Sequence, residues 1–475
     1  MKQQITAAIF TSVVSGSLLL APASSMMAAD GKRAPVDAVT KTVPPPPPGF
    51  LRLVKDKRAL EERIAKKHRL QVPSQVWDFF TAAERGDWTA TSNLFLSLKA
   101  GLRPPSGEAW LPTPFWSAIL DTYGLYEKVA EWSPHFLNLI STGIAKSIPS
   151  GSMYFGGSDT GRFGPMLESA SHSEGRPFFT LSQSALSNEA YLEYLRDMYG
   201  GSIYIPGTNE AQQCVAQYTE DAGRRWKHDQ QFPLEPRQLR PGEGVQMVDG
   251  NIKVEGHVGV MGMNSLLAKA IFDKNPRREF YYVESFPLDW VYPHLTPHQF
   301  IFKVNRQPPA EISAATMRAD RDFWTRHAEA WVGTWLNINT PIGEVTNFVI
   351  RIFHDQDLKQ FKGDPGFIQD VEARKFFSKL RSAVGGVYSW RANATRLPAE
   401  RQRLLDEADF AFRQAFVFAP TSAEAVFRYV NLLMSGGRVE DALRVAGAAQ
   451  TLDPTNAQME NLGLELARMK QAANR

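Results

Sequence analysis

The residues best suited to chemistry lie in one stretch, Gly151 to Arg162, which reads GSMYFGGSDTGR. Gly156, Gly157 and Gly161 would let backbone amides approach a ligand or take positive φ. Asp159 can accept from a sugar hydroxyl or hold a metal, and Thr160 adds a hydroxyl beside it. Arg162 can grip a phosphate or carboxylate through two parallel hydrogen bonds, and amides at the start of a following helix favour an anion. The glycine spacing is not G-x-G-x-x-G and no phosphate-binding lysine follows, so the stretch does not match a dinucleotide fingerprint or a P-loop. A tight strand-to-helix turn closed by an internal Asp159 to Arg162 pair is the alternative reading.

Glu284 ends a second run, Glu279 to Ser285 (EFYYVES), while Gln183, Asn209 and Asn264 offer neutral hydrogen-bonding groups. Asp159 and Glu284 are the candidate catalytic residues: about 5 to 10 Å apart, two carboxylates can act as acid and base on a glycan. His294 and His298 have a zinc-like spacing but sit in a proline-rich turn without a third ligand, and His354-Asp355-Gln356-Asp357 reads as a solvated helix end. Neither a metal site nor a cofactor is expected. Gly-x-Ser-x-Gly is absent, and Cys214 is the only cysteine, which excludes an intrachain disulfide.

The elements that must position these groups follow from the apolar pattern. Met153-Tyr154-Phe155 reads as a strand feeding the glycine loop, and Phe178 to Leu181 and Ser202 to Pro206 read as two more. Helices at Pro165 to Ser173 and Asn188 to Tyr199 would complete a βαβαβ unit. Right-handed crossovers then bring Gly156 to Arg162, Ser182-Gln183-Ser184 and Pro206 to Asn209 to one edge. Glu284 would close a fourth strand at that edge. The polar stretch 207–256 reads as a long loop insertion, either a lid or disorder. Leu51 to Leu70 reads as a solvated amphipathic helix, with Ser74 as the N-cap of the next.

The expected fold class is α/β plus all-α. A helical segment (51–149) precedes a Rossmann-like, mostly parallel sheet domain (150–308), and a helical domain (309–475) follows. Pro420 and Pro454 stand 34 residues apart, the tetratricopeptide period. Ala408 and Ala415 precede the first proline as Ala442 and Ala449 precede the second, at positions where paired helices approach closely. Phe412 and Leu433 fit the larger apolar slots, so the repeats are placed at about 383–470.

The 53 basic and 50 acidic side chains leave a net charge of +3 on 475 residues, with no basic stripe for nucleic acid. Lys2, the apolar run Ile5 to Leu20 and Ala21-Pro22-Ala23 read as a signal peptide (1–29), followed by a Pro-rich linker (30–50). An apolar run this short falls below the roughly 20 residues that cross a bilayer. The expected location is therefore periplasmic or otherwise extracytoplasmic, soluble after cleavage.

The segments Tyr154 to Phe163, Phe179 to Leu186, Tyr281 to Ser285 and Trp290 to Leu295 together resemble a known family. They are similar to the soluble C-terminal region of bacterial protein O-mannosyltransferase-like polytopic membrane proteins, which often continues into tetratricopeptide repeats. The likeness extends over Trp77 to Arg475. It implies a cell-envelope setting and business with glycans or lipid-linked sugars. The membrane part, where transfer chemistry is expected in such enzymes, is not in this sequence, so the enzymatic label does not carry over. The expectation is an exported, non-catalytic protein that binds a small polar or anionic, glycan-like ligand through the α/β domain. Its helical repeats would bind a protein partner, and an envelope membrane protein is a further possible partner. The alternatives are a glycan-modifying transferase or hydrolase using Asp159 and Glu284, and a pure tetratricopeptide scaffold.

Overall fold

Helices dominate because apolar residues recur at helical spacing along most of the chain, while the strands are short runs rich in aromatic and branched residues. The computed structural model describes residues 44–102, 109–248, 250–286 and 288–473; the expected signal peptide and most of the linker lie outside them. Two units result. The first comprises the described residues up to Glu131 and Asn138–Val291, the second Trp132–Leu137 and the described residues from Tyr292 onward.

The first unit opens with α1 (Pro48–His68), α2 (Ser74–Glu84), α3 (Trp88–Leu102) and α4 (Trp116–Glu131), and takes most of α5 (Pro134–Ser147). Proline is tolerated in the first turn of α1, where its missing N–H has no partner to lose, and Lys66, Lys67 and His68 suit the negative end of the helix dipole. Ser74 is the first helical residue of α2, not its cap.

Next come β1 (Met153–Gly156), α6 (Thr160–Met166), β2 (Phe179–Ser182), α7 (Glu189–Tyr199), α8 (Thr208–Gln231), β3 (Gly244–Val248), β4 (Asn251–Glu255), α9 (Gly256–Lys274) and β5 (Phe280–Tyr282). β1 runs parallel to both β2 and β5, with Met153 opposite Phe179 and Phe280. All three strands are buried along their length, as parallel strands covered on both faces are.

Further expectations fail in this unit, and the helix read at Pro165 to Ser173 lies instead at Thr160–Met166. Ser202 to Pro206 forms no strand: the Asn275 amide takes the place of a neighbouring strand, accepting from Tyr204 N (2.8 Å) and donating to Tyr204 O (3.0 Å). The stretch 207–256 is not a long loop, for it holds α8 and the antiparallel hairpin β3–β4. Ala211, Tyr218 and Ala222 recur at helical spacing and are buried on α8. Gly262 on α9 leaves room for Tyr218, since a Cβ there would meet the ring at 2.1 Å.

The second unit contains the antiparallel hairpin β6 (Leu295–His298) and β7 (Ile301–Val304). Helices follow: α10 (Ala314–Val332), α11 (Ile342–Val349) with a π turn at Ile350–His354, α12 (Pro365–Gln369), α13 (Val371–Ala394), α14 (Pro398–Phe418), α15 (Ala423–Ser435), α16 (Val439–Leu452) and α17 (Ala457–Ala473). Ala408, Ala415, Ala442 and Ala449 are fully buried on α14 and α16, and Pro420 and Pro454 lie in the loops just after those helices. Phe412 fills the space that Gly385 leaves on α13. The chain is thus helix-rich, with both parallel and antiparallel strand pairing.

Candidate functional site

The carboxyl ends of β1, β2 and β5 are tied together by the residues that follow them. Gln183 N donates to Gly156 O (2.9 Å), Val283 N donates to Phe155 O (3.1 Å), and the Gln183 amide donates to Val283 O (2.8 Å). Gln183 is fully buried, and its Oε1 has no hydrogen-bond partner. Glu284 comes next along β5's exit and is 3% exposed. Asp159 is half-buried; its Oδ1 accepts from Gly161 N (3.0 Å), which caps α6. Asp159, Gln183 and Glu284 therefore follow neighbouring strands at one edge, as the parallel topology requires. Asn264 positions the loop after β2, accepting from Ser187 N (2.6 Å) and donating to Ser184 O (3.2 Å).

Gly156, Gly157 and Gly161 do not take the positive φ that is one of their two expected uses. A Cβ on Gly157 would meet the Ser285 side chain at 2.2 Å, one on Gly156 would meet the Arg162 side chain at 2.7 Å, and one on Gly161 would meet Val283 at 3.2 Å. Gly157 and Gly161 let the loop close against the chain that leaves β5, and Gly156 makes room for Arg162. Thr160 is buried as the first residue of α6.

Arg162 also departs from expectation. It is 4% exposed, stacks over Phe163 with 4.3 Å to the ring centroid, and lies 3.5 Å from Asp121 Oδ1. Its guanidinium belongs to a buried cluster drawn from α1, α4, α6 and α7. Lys57 Nζ donates to Asp121 Oδ2 (2.9 Å) and to Tyr194 OH (2.6 Å), and Tyr194 in turn donates to Asp121 (2.9 Å). Burial alone would raise the Asp121 pKa, but Lys57 and Arg162 hold it well below the usual carboxylate range. Burial pushes Glu61 well above its ordinary value, against the pull of Lys57. His172, buried and facing Lys57, is lowered to about 3. At neutral pH Asp121 is thus ionised and His172 neutral.

Sequence reasoning missed this cluster, although a signal was present. Lys57 falls at helical spacing on the stripe of Leu53, Leu60 and Ile64, so it faces the core and not solvent.

The remaining candidates do not join the strand edge. Asn209 is exposed at the start of α8. His294 and His298 lie in the second unit, where His294 Nδ1 contacts Asn305 O (2.7 Å), and His354 pairs with Asp355 at the π turn. Cys214 is half-buried on α8, where burial raises its thiol pKa and disfavours the reactive thiolate. Among the described residues no group of three or more His, Cys, Asp or Glu side chains could hold a metal, and no helix is long and apolar enough to cross a membrane.

Comparison with protein-family models, with curated proteins and with solved structures gave no match.

The chemistry open to the edge follows from its inventory. Asp159, Gln183 Oε1 and Glu284 are acceptors, joined by the hydroxyls of Ser158, Ser184 and Ser285. The segments 157–160, 183–187 and 283–286 contain no Lys or Arg. Such a set can accept hydrogen bonds from the hydroxyls of a ligand.

Proposed function

We propose that this is an exported cell-envelope binding protein whose first unit holds a neutral, hydroxyl-rich, glycan-like ligand at the edge formed by Asp159, Gln183 and Glu284. The observation that carries the reading is Gln183 Oε1, a fully buried acceptor without a partner at the convergence of the strand ends. A buried acceptor left unpaired costs about 1–3 kcal/mol, which a ligand hydroxyl would recover on an opening of the edge that uncovers this enclosed atom. The withdrawal of Arg162 to Asp121 narrows the expected ligand from polar or anionic to neutral. The resemblance to the soluble region of O-mannosyltransferase-like proteins supports a glycan setting. The second unit serves as a tetratricopeptide-like array that docks a protein partner, a role supported by its successive helices and the buried alanines 34 residues apart.

A thermal-shift screen with neutral mono- and oligosaccharides, sugar phosphates and nucleotides tests the ligand class. A neutral sugar at about 100 times its dissociation constant adds roughly 2.7 kcal/mol of stability. The expected result is a shift with a neutral sugar that disappears in Gln183→Met. Shifts with phosphates alone would contradict the reading.

A further inference from the structure

The first unit carries an open groove of about 570 Å³ between α7, α8 and β4. Ala211, Val215, Ala216 and Ile252 contribute apolar surface to it, and the exposed carboxylates Glu189 and Glu220 also line it. Its chemistry calls for an apolar side chain followed by a cation.

The same chain displays such a segment just beyond α8. Phe232-Pro233-Leu234-Glu235-Pro236-Arg237 leaves Leu234 100% exposed, and the Arg237 side chain is 81% exposed. This tip has a fixed form. Glu235 N donates to Phe232 O (3.1 Å) across Pro233, closing a turn, and the Asp229 carboxylate accepts from Gln238 N (2.7 Å) and Leu239 N (3.0 Å). The two prolines further restrict the backbone, so docking would cost little additional order. Leu234 stands fully in water on this preformed turn, so its burial on association would be favourable.

The tip cannot fill the groove of its own chain. Glu220 and Gln231 lie on one helix, separated by about three turns or roughly 16 Å, and the tip follows its far end. We infer that the occupant is a second copy of this chain. Leu234 of each copy enters the groove of the other, and Arg237 exchanges its 3.9 Å contact with Asp229 for the Glu189 carboxylate, while Glu220 keeps its pairing with Arg224 (3.3 Å). Two reciprocal contacts of this kind close into a two-fold dimer, because each copy contributes one tip and one groove.

Sedimentation analysis of the full chain tests the inference. Wild type is expected to show a concentration-dependent dimer that weakens as salt rises. Leu234→Asp and Ala216→Arg, both at exposed positions, are each expected to raise the dimer dissociation constant by roughly tenfold or more while melting as wild type does. An equimolar mixture of the two variants is the decisive arm. Pairing Leu234→Asp with Ala216→Arg leaves one intact tip-to-groove contact, so the mixture should associate more tightly than either variant alone. A wild type that stays monomeric at high concentration would overturn the inference. So would a dimer indifferent to both variants, or a mixture no tighter than its components. A small amphiphile that fills the groove without displacing any dimer would also count against it.

Discussion

At the strand edge, Asp159, Gln183 and Glu284 offer acceptors and the flanking segments hold no cation; in the buried cluster, Lys57 and Arg162 surround Asp121 with two. Arg162 stands only three residues from Asp159, yet its charge is spent on the core. The difference shows how side chains of functional type divide between holding a fold together and meeting a ligand. The cluster joins α1, α4, α6 and α7 through charges that compensate each other out of water. The edge keeps a buried acceptor, Gln183 Oε1, whose partner the described chain does not supply.

The comparison breaks most readily at Asp121. Asp121→Ala leaves Lys57 and Arg162 buried without their carboxylate, and the expected loss is about 3–5 kcal/mol in denaturant unfolding. A loss below about 1 kcal/mol would mean that the cluster does not hold the unit together. Asp121 is also acid-sensitive. Its folded pKa is depressed, so its contribution is present above the ordinary value of 3.8 and is lost as pH falls through the folded value.

Glu61 and His172 sharpen the contrast, because their pH signatures are opposite. The raised pKa of Glu61 gives a contribution that is full below its ordinary 4.5 and is lost as pH rises through the folded value. Glu61→Gln, which imitates the protonated acid, should therefore stabilise the protein at neutral pH and make no difference below about pH 4. His172 runs the other way. The unfolded chain binds a proton near 6.5 and the folded chain only near 3, so stability falls as pH drops across that window. His172→Gln should flatten that slope in melts recorded from neutral to acid pH.

Much of this contrast was hidden in the sequence for physical reasons. β1, β2 and β5 were legible because short apolar runs bounded by glycine and polar residues read as buried strands, and their parallel order brings Gln183 and Glu284 to the Asp159 loop. The buried alanines of α14 and α16 were legible because helical packing repeats its small residues at a fixed interval. The destination of Arg162 was not, since Lys57, Asp121, His172 and Tyr194 are far apart in the chain and meet only through tertiary packing. Helix α8 was obscured by its polar composition, although Ala211, Tyr218 and Ala222 keep helical spacing. The strand expected at Ser202 to Pro206 was replaced by a side-chain bond from Asn275, which no local pattern announces.

The smallest expected effect on stability is at Gln183. Gln183→Met removes the amide bond to Val283 O at a cost of about 1 kcal/mol, yet it also removes the buried acceptor. Calorimetric titration of wild type and Gln183→Met with the neutral sugar found by screening, and with its phosphorylated counterpart, is the most direct test of the account. Wild type is expected to bind the neutral sugar more tightly than the phosphate, and a folded Gln183→Met to bind neither measurably. Tighter binding of the phosphate, or unchanged binding of the neutral sugar by the variant, would contradict it.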